Sequence, residues 1–220
     1  SDVCSSDLEK HIIDRRIDVL EKEGITFTTD THIGEDISVQ SVLSDHDAVC
    51  LTGGSEVPRD LPIEGRDLQG IHFAMDYLTQ SNKHVAGDKI HDGERIDARG
   101  KTVVVIGGGD TGSDCVGTAN RQGAKKVIQL EVMPKPAENR TAAFPWPQYP
   151  QLLKTTSSHE EGAERHWSVL TKKFSGRKGT LTTVHCARVE FIETIDSPRP
   201  VMHEVPETDF EINADLVILA

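Results

Sequence analysis

Gly107, Gly109 and Gly112 stand in the spacing G-x-G-x-x-G, directly after the β-branched run TVVVI at 102–106. The chemistry open to such a turn is the gripping of a pyrophosphate. Gly107 allows a tight strand-to-helix turn, Gly109 lets the backbone approach the phosphates, and Gly112 lets the helix pack close to the strand. The first helical turn then offers unpaired N–H groups and the positive end of the helix dipole to the anion. Gly108 adds room that this logic does not require. Thr111 can donate to a phosphate. Asp110 and Asp114 cannot while ionised, and acidic residues in a first turn commonly serve the dipole alone. Cys115 shares that turn, where a thiolate would be stabilised, but no second cysteine stands nearby and it reads as packing.

KKVIQLEV (125–132) reads as the next strand. It puts Glu131 about twenty residues past the motif, where a carboxylate accepts hydrogen bonds from the adenosine ribose 2′-hydroxyl and repels a 2′-phosphate. Glu131 therefore leans the cofactor choice toward NADH over NADPH. Lys135 and Arg140 follow closely and meet a phosphate if their loop folds back; the alternative for both is surface solvation.

The elements that must position these residues follow from periodicity. From Leu8 a helical pattern puts Ile13, Ile17 and Leu20 on one face, with Gly24 as C-cap. Residues 25–29 read as a short strand and 38–43 as one or two helical turns. DAVCLTGG (47–54) reads as a buried parallel-type strand entering a glycine turn at Thr52, Gly53 and Gly54. A helix is expected over 72–80, a polar bridge over 81–99, and a helix over 114–122 after the motif. A proline-rich loop, 133–150, contains FPWPQYP, and a further helix falls around 159–165. SVLTKKF, GRKG and TLTTVHCARVEFIE read as strand, glycine turn and strand. DAVCLT (47–52) and DLVILA (215–220) share one grammar: Asp, four apolar residues, then a small one.

Composition narrows the classes. The 220 residues hold 36 acidic against 24 basic side chains, a net charge of −12, so nucleic acid and anionic membranes would be repelled. No apolar run approaches the ~18 residues of a membrane span, and no basic-then-apolar signal opens the chain. A cytoplasmic protein is expected. Cys4, Cys50, Cys115 and Cys186 form no C-x-x-C, and the ten histidines show no H-E-x-x-H, so neither a disulfide framework nor a metal ligand set is expected. SDVCSSD (1–7) reads as a non-native leader.

GKTVVVIGGGDTGSDCVGTANRQGAKKV (100–127) resembles the NAD(P)H-binding segment of the small (beta) subunit of glutamate synthase. The resemblance extends to EKHIIDRRIDVLEKEGITF (9–27), to 47–78, to the ENR…PWPQYP loop (138–150) and to ADLVILA (214–220). Between 152 and 168 it is weaker and places no function. It implies an α/β fold: a Rossmann-like, doubly wound NAD(P)H-binding domain (86–220) inserted in a partial FAD-binding domain (8–85). Thr52, Gly53 and Gly54 match the segment that closes on FAD. The family's N-terminal FAD fingerprint, its cysteine-rich iron–sulfur region and its C-terminal FAD segment have no counterpart here. A piece truncated at both ends, and inactive alone, is expected. The implied role is electron input: hydride from NAD(P)H to FAD, then electrons through iron–sulfur clusters of the full-length protein to the large (alpha) subunit. There glutamate is made from glutamine and 2-oxoglutarate.

No acid–base residue is named, because no Ser/His/Asp set or paired carboxylate demands one. Two alternatives stand beside this reading: the reducing module of a dihydropyrimidine dehydrogenase type flavoprotein, and a nucleotide-binding domain with no redox role. A thioredoxin-reductase-like enzyme is disfavoured by the missing C-x-x-C. The PWPQYP loop, with Trp146 and Tyr149, has three readings: a cover over the nucleotide, a dock for the large subunit, or a packed surface loop.

Overall fold

The computed structural model describes residues 10–54, 57–89, 95–142, 144–148, 152–194 and 199–220. The leader SDVCSSD and Tyr149 lie outside these. The chain forms two compact units, Ser1–Glu56 and Val57–Ala220.

In the first unit, α1 (Lys10–Lys22) ends where Gly24, at φ +94°, closes the last turn, with Ile25 N–H donating to Leu20 O at 3.0 Å. The left-handed backbone explains the glycine. α2 (Val39–Asp45) starts from Ser38, whose hydroxyl accepts from Ser41 N–H at 3.0 Å. The strands expected at 25–29 and 47–52 do not form. A parallel strand needs a neighbour to take its N–H and C=O groups, and the described residues of this unit supply only an isolated Ile33–Ile37 bridge. Leu51 is consequently 92% exposed and Val49 43%.

The second unit carries two sheets. One is built from β1 (Ile71–Phe73), β2 (Thr102–Ile106), β3 (Lys126–Leu130), β4 (Glu164–His166) and β9 (Leu216–Leu219), in the order β1-β9-β2-β3-β4 with every pair parallel. Around it stand α3 (Ala74–Val85), α4 (Asp110–Arg121) and the one-turn α5 (Ser157–Glu160). The run TVVVI suits a central strand buried on both faces, and Val103, Val104 and Val105 are fully buried. The other sheet is an antiparallel meander of β5 (Val169–Arg177), β6 (Thr180–Ile192), β7 (Val201–Glu204) and β8 (Phe210–Asn213), with β7 and β8 both pairing to β6. The expected glycine turn joins β5 to β6: Lys178 and Gly179 both have positive φ, +54° and +81°, as a two-residue hairpin turn requires. Phe174, Leu181 and Val184 of the meander share one apolar core with Val104, Leu130 and Val217 of the parallel sheet.

Two of the elements in this unit differ from the sequence reading and one agrees with it. His72 and Phe73 end β1 rather than start a helix, and α3 begins at Ala74. The helix after the glycine motif begins at Asp110, in the first turn where the acidic residues were expected. The helix around 159–165 is only α5, because Gly162 at φ +124° ends it and Glu164–His166 joins the sheet as β4. Residues 57–85, which the resemblance groups with the FAD part, here contribute β1 and α3 to the second unit.

Candidate functional site

Strand order fixes where a ligand can sit. β3 lies on one side of β2 and β9 on the other, so the order reverses at β2, and the crevice beyond the carboxyl ends of these strands is the ligand position in open parallel sheets. The glycine motif occupies that place. Gly107 leaves β2 at φ +132°, with the Ala220 carbonyl in the place a Cβ would take. A side chain would be strained there and would strike that backbone. A Cβ at Gly112 would strike the Gly107 carbonyl, which is how α4 comes so near the turn. Gly109, the N-cap of α4, is the opposite case: a Cβ there would meet nothing within 4 Å. The protein has left backbone open to the crevice at the residue expected to face a pyrophosphate.

Gly108 corrects the sequence reading. Its N–H donates to Glu131 Oε2 at 2.7 Å, and a Cβ would collide with that carboxylate. The middle glycine of the run therefore leaves the room that the Glu131 carboxylate occupies. Glu131 lies at the end of β3 as expected, and its other oxygen accepts from Met133 N–H at 2.8 Å. Two backbone donors thus hold one carboxylate in a fixed pose at the mouth of the motif. Asp110 is exposed, 3.8 Å from Lys154 Nζ. Thr111 is half-buried and does not line the crevice. Cys115 is fully buried and burial pushes its thiol well up, which fits packing. Thr52, Gly53 and Gly54 are exposed coil in the first unit, with Gly54 at φ +71°.

The crevice widens into a cleft of about 500 Å³. Its far wall comes from residues that the sequence reading passed over: Lys154, Thr156, His159, Arg165 and Trp167. A buried hydrogen-bond chain ties this wall to the glycine turn. Gln129 Nε2 donates to Gly107 O at 2.8 Å, leaving its Oε1 to accept from His159 Nε2–H at 2.9 Å. His159 Nδ1 must then be the unprotonated nitrogen, and it accepts from Thr156 N–H at 3.2 Å as half of the capping box that starts α5. Thr156 Oγ1 meets Ser113 Oγ of α4 at 2.5 Å, closing the ring. Burial, followed by the nearby Arg165, pulls the His159 pKa below its ordinary value, consistent with a neutral imidazole. The one readable signal was Gln129, an amide inside the apolar strand KVIQL, buried to 2% exposure. A buried amide must have partners.

Arg140 is not at the cleft. Its guanidinium donates to Phe144 O and Gln148 O at 2.8 and 2.7 Å and holds the proline-rich loop together. Lys135 pairs with Glu138 at 3.2 Å. Trp146 is 82% exposed. The fold also lines up Ser175, His185 and Glu211 on neighbouring strands, with Ser175 Oγ to His185 Nε2 at 2.5 Å and His185 Nδ1 to Glu211 at 3.2 Å. None of the three lines the cleft; they are cross-strand neighbours on the meander.

A family described as pyridine nucleotide-disulphide oxidoreductase matches residues 41–220. The chain belongs to that family. Among its curated relatives, the glutamate synthase (NADPH) small chain of Mycobacterium tuberculosis strain H37Rv is 43% identical over 216 residues, covering 97% of this chain and 43% of the relative. The small chain of Bacillus subtilis is 41% identical over 220 residues, covering 97% and 44%. Glutamate synthase (NADH) of Schizosaccharomyces pombe is 41% identical over 222 residues, covering 97% and 10%. This family member therefore spans less than half the length of each of these relatives. Of solved structures, Mycobacterium tuberculosis FprA in complex with NADPH superposes with a TM-score of 0.57 at 16% identity, covering 87% of this chain and 53% of that one. That likeness bears on the Rossmann-type fold alone. No helix among the described residues is long and apolar enough to cross a membrane.

Proposed function

We propose that this chain is the dinucleotide-binding part of the electron-input subunit of a glutamate synthase, a cytoplasmic flavoprotein. The observation that carries the binding role is Gly109: backbone left uncovered at the N-terminus of α4, in the crevice where the sheet order reverses. The residues fit NAD(P)H. The free N–H groups of α4 receive the pyrophosphate, Gly107 and Gly112 let the turn and α4 pack close behind it, and Glu131 accepts from the ribose hydroxyls. Taken alone, Glu131 favours NADH. When bound, the nicotinamide supplies a hydride and the flavin accepts it. The chain's own residues position and shield the dinucleotide rather than move protons.

FAD is the second cofactor of this reading, with the first unit as part of its domain, Thr52, Gly53 and Gly54 at the FAD-closing turn, and residues 57–85 packed with the dinucleotide-binding unit instead. The exposed Val49 and Leu51 support it, since they are the apolar side chains a buried strand of that domain would present. The glutamate synthase large subunit is the proposed recipient of electrons, through iron–sulfur clusters carried elsewhere in the full-length protein. The 43% identity across nearly the whole chain supports that assignment.

Titrating the 220-residue chain with NADH and NADPH tests the binding role. Trp167 lines the cleft and Trp146 does not, so the quench is expected to persist in Trp146→Phe and vanish in Trp167→Phe. No response to either dinucleotide would defeat the proposal.

A further inference from the structure

Arg165 stands out among the charged groups of the cleft. It lies on β4 in register with Gln129 of β3 and is half-buried. One of its N–H groups donates to Lys154 O at 3.0 Å, and its guanidinium lies 4.9 Å from the centre of the Trp167 ring. Among the described residues it forms no ion pair. Burial draws its pKa below the ordinary value, the mark of a cation that has lost water without gaining a counter-charge. A guanidinium carries five N–H donors in a planar fork suited to phosphate oxygens, and most of this fork is unspent. The Trp167 ring fixes the plane of that fork.

Its position separates it from the pyrophosphate cradle. The helix N-terminus and Gly109 form one anion-seeking point, and Lys154, beside Asp110, adds charge there. Glu131 comes next, where the ribose is received, and Arg165 stands on the adjoining strand of the same cleft. A ligand that meets all three in turn carries a second phosphate on its adenosine ribose.

We infer that Arg165 receives the 2′-phosphate of NADPH and so offsets the repulsion from Glu131, making the site competent for NADPH as well as NADH. The inference rests on the dinucleotide reading above. Selectivity then follows from a contest between two groups: the carboxylate pinned by Gly108 and Met133 disfavours the 2′-phosphate, and the guanidinium backed by Trp167 attracts it.

The test compares wild type, Arg165→Met and Arg165→Lys in titrations with NADH, NADPH, 2′,5′-ADP and 5′-ADP, after thermal melts show each variant folded. Losing hydrogen bonds to a charged group lowers affinity roughly 10–100-fold. Arg165→Met is expected to lose that much for NADPH and 2′,5′-ADP, with NADH and 5′-ADP changing less than about threefold. Arg165→Lys, keeping the charge without the fork, should fall between. Equal losses for NADH and NADPH would assign Arg165 to the pyrophosphate or the adenine and overturn the inference. So would unchanged NADPH binding in Arg165→Met. A wild type that binds neither dinucleotide sinks the underlying site reading as well, whereas NADH binding without NADPH selectivity at Arg165 sinks only this inference.

Discussion

Two glycines three residues apart should respond to the same substitution in opposite ways. Gly109 has φ −78° and ψ −174°, which alanine adopts freely, and an added Cβ meets no protein atom within 4 Å. Alanine is a poorer N-cap than glycine by up to about 1 kcal/mol, while the stiffer unfolded chain returns about 0.4–1 kcal/mol. Gly109→Ala should therefore melt close to wild type. Its methyl group, however, stands where the pyrophosphate must approach. Overpacking costs about 1–3 kcal/mol, which weakens dinucleotide binding roughly 5–150-fold. At Gly112 the added Cβ meets the Gly107 carbonyl and comes 2.9 Å from Gln129 Nε2. There α4 must back away at a similar overpacking cost, and the Gln129–Gly107 hydrogen bond is lost for about 0.5–1.5 kcal/mol more. Gly112→Ala should lose about 2 kcal/mol or more, lowering Tm by at least ~4 °C in a chain of this size. Thermal melts and fluorescence titrations of both variants decide the matter. If Gly109→Ala binds NAD(P)H within twofold of wild type, the phosphates do not lie over Gly109. If it melts as low as Gly112→Ala, the crevice is not open as described.

Glu131→Ala removes the acceptor held by Gly108 and Met133; NADH affinity should fall roughly tenfold or more while NADPH falls less, and an equal loss for both would disconnect Glu131 from the ribose. His159 titrates with a defined sign. Its folded pKa lies below the ordinary 6.5, so the unfolded chain binds the proton more readily, and the stabilisation is complete above pH ~6.5 and declines as pH falls toward the folded value. His159→Ala should lose about 1–3 kcal/mol at pH 8 by orphaning Gln129 Oε1, and the Tm gap to wild type should narrow between pH ~6.5 and 5. A constant gap across that range would mean that the folded and unfolded chains bind this proton equally, so that burial does not hold the imidazole neutral.

The glycine motif was legible because its requirements are local: each glycine answers to its own turn, and β-branched TVVVI flanks them. Even so Gly108 was undervalued, since the side chain that excludes a Cβ there belongs to Glu131, on another strand. β1 was missed for a related reason. Three residues, Ile71–Phe73, are too few to show an alternation, and they become a strand only through partners at 217–219. The apolar run at 47–52 has strong strand chemistry and no neighbour among the described residues of its unit, so propensity did not decide. The far wall of the cleft carries no spacing at all. Lys154, Thr156, His159, Arg165 and Trp167 are brought together by a coil, a single helical turn and a three-residue strand, none of which has a periodic signature.

The buried ring through Gln129 and His159 also bears on what the protein can tolerate. The excursion from β3 to α5 leaves through Met133, whose amide is fastened by Glu131, and returns through Thr156, fastened to Ser113. Both anchors belong to the rim of one crevice, while Arg140 ties the intervening proline-rich stretch to itself. The stretch tied by Arg140 can thus change in composition without shifting the amides beneath it, whereas Lys154, whose carbonyl accepts from Arg165 at the wall of the cleft, cannot.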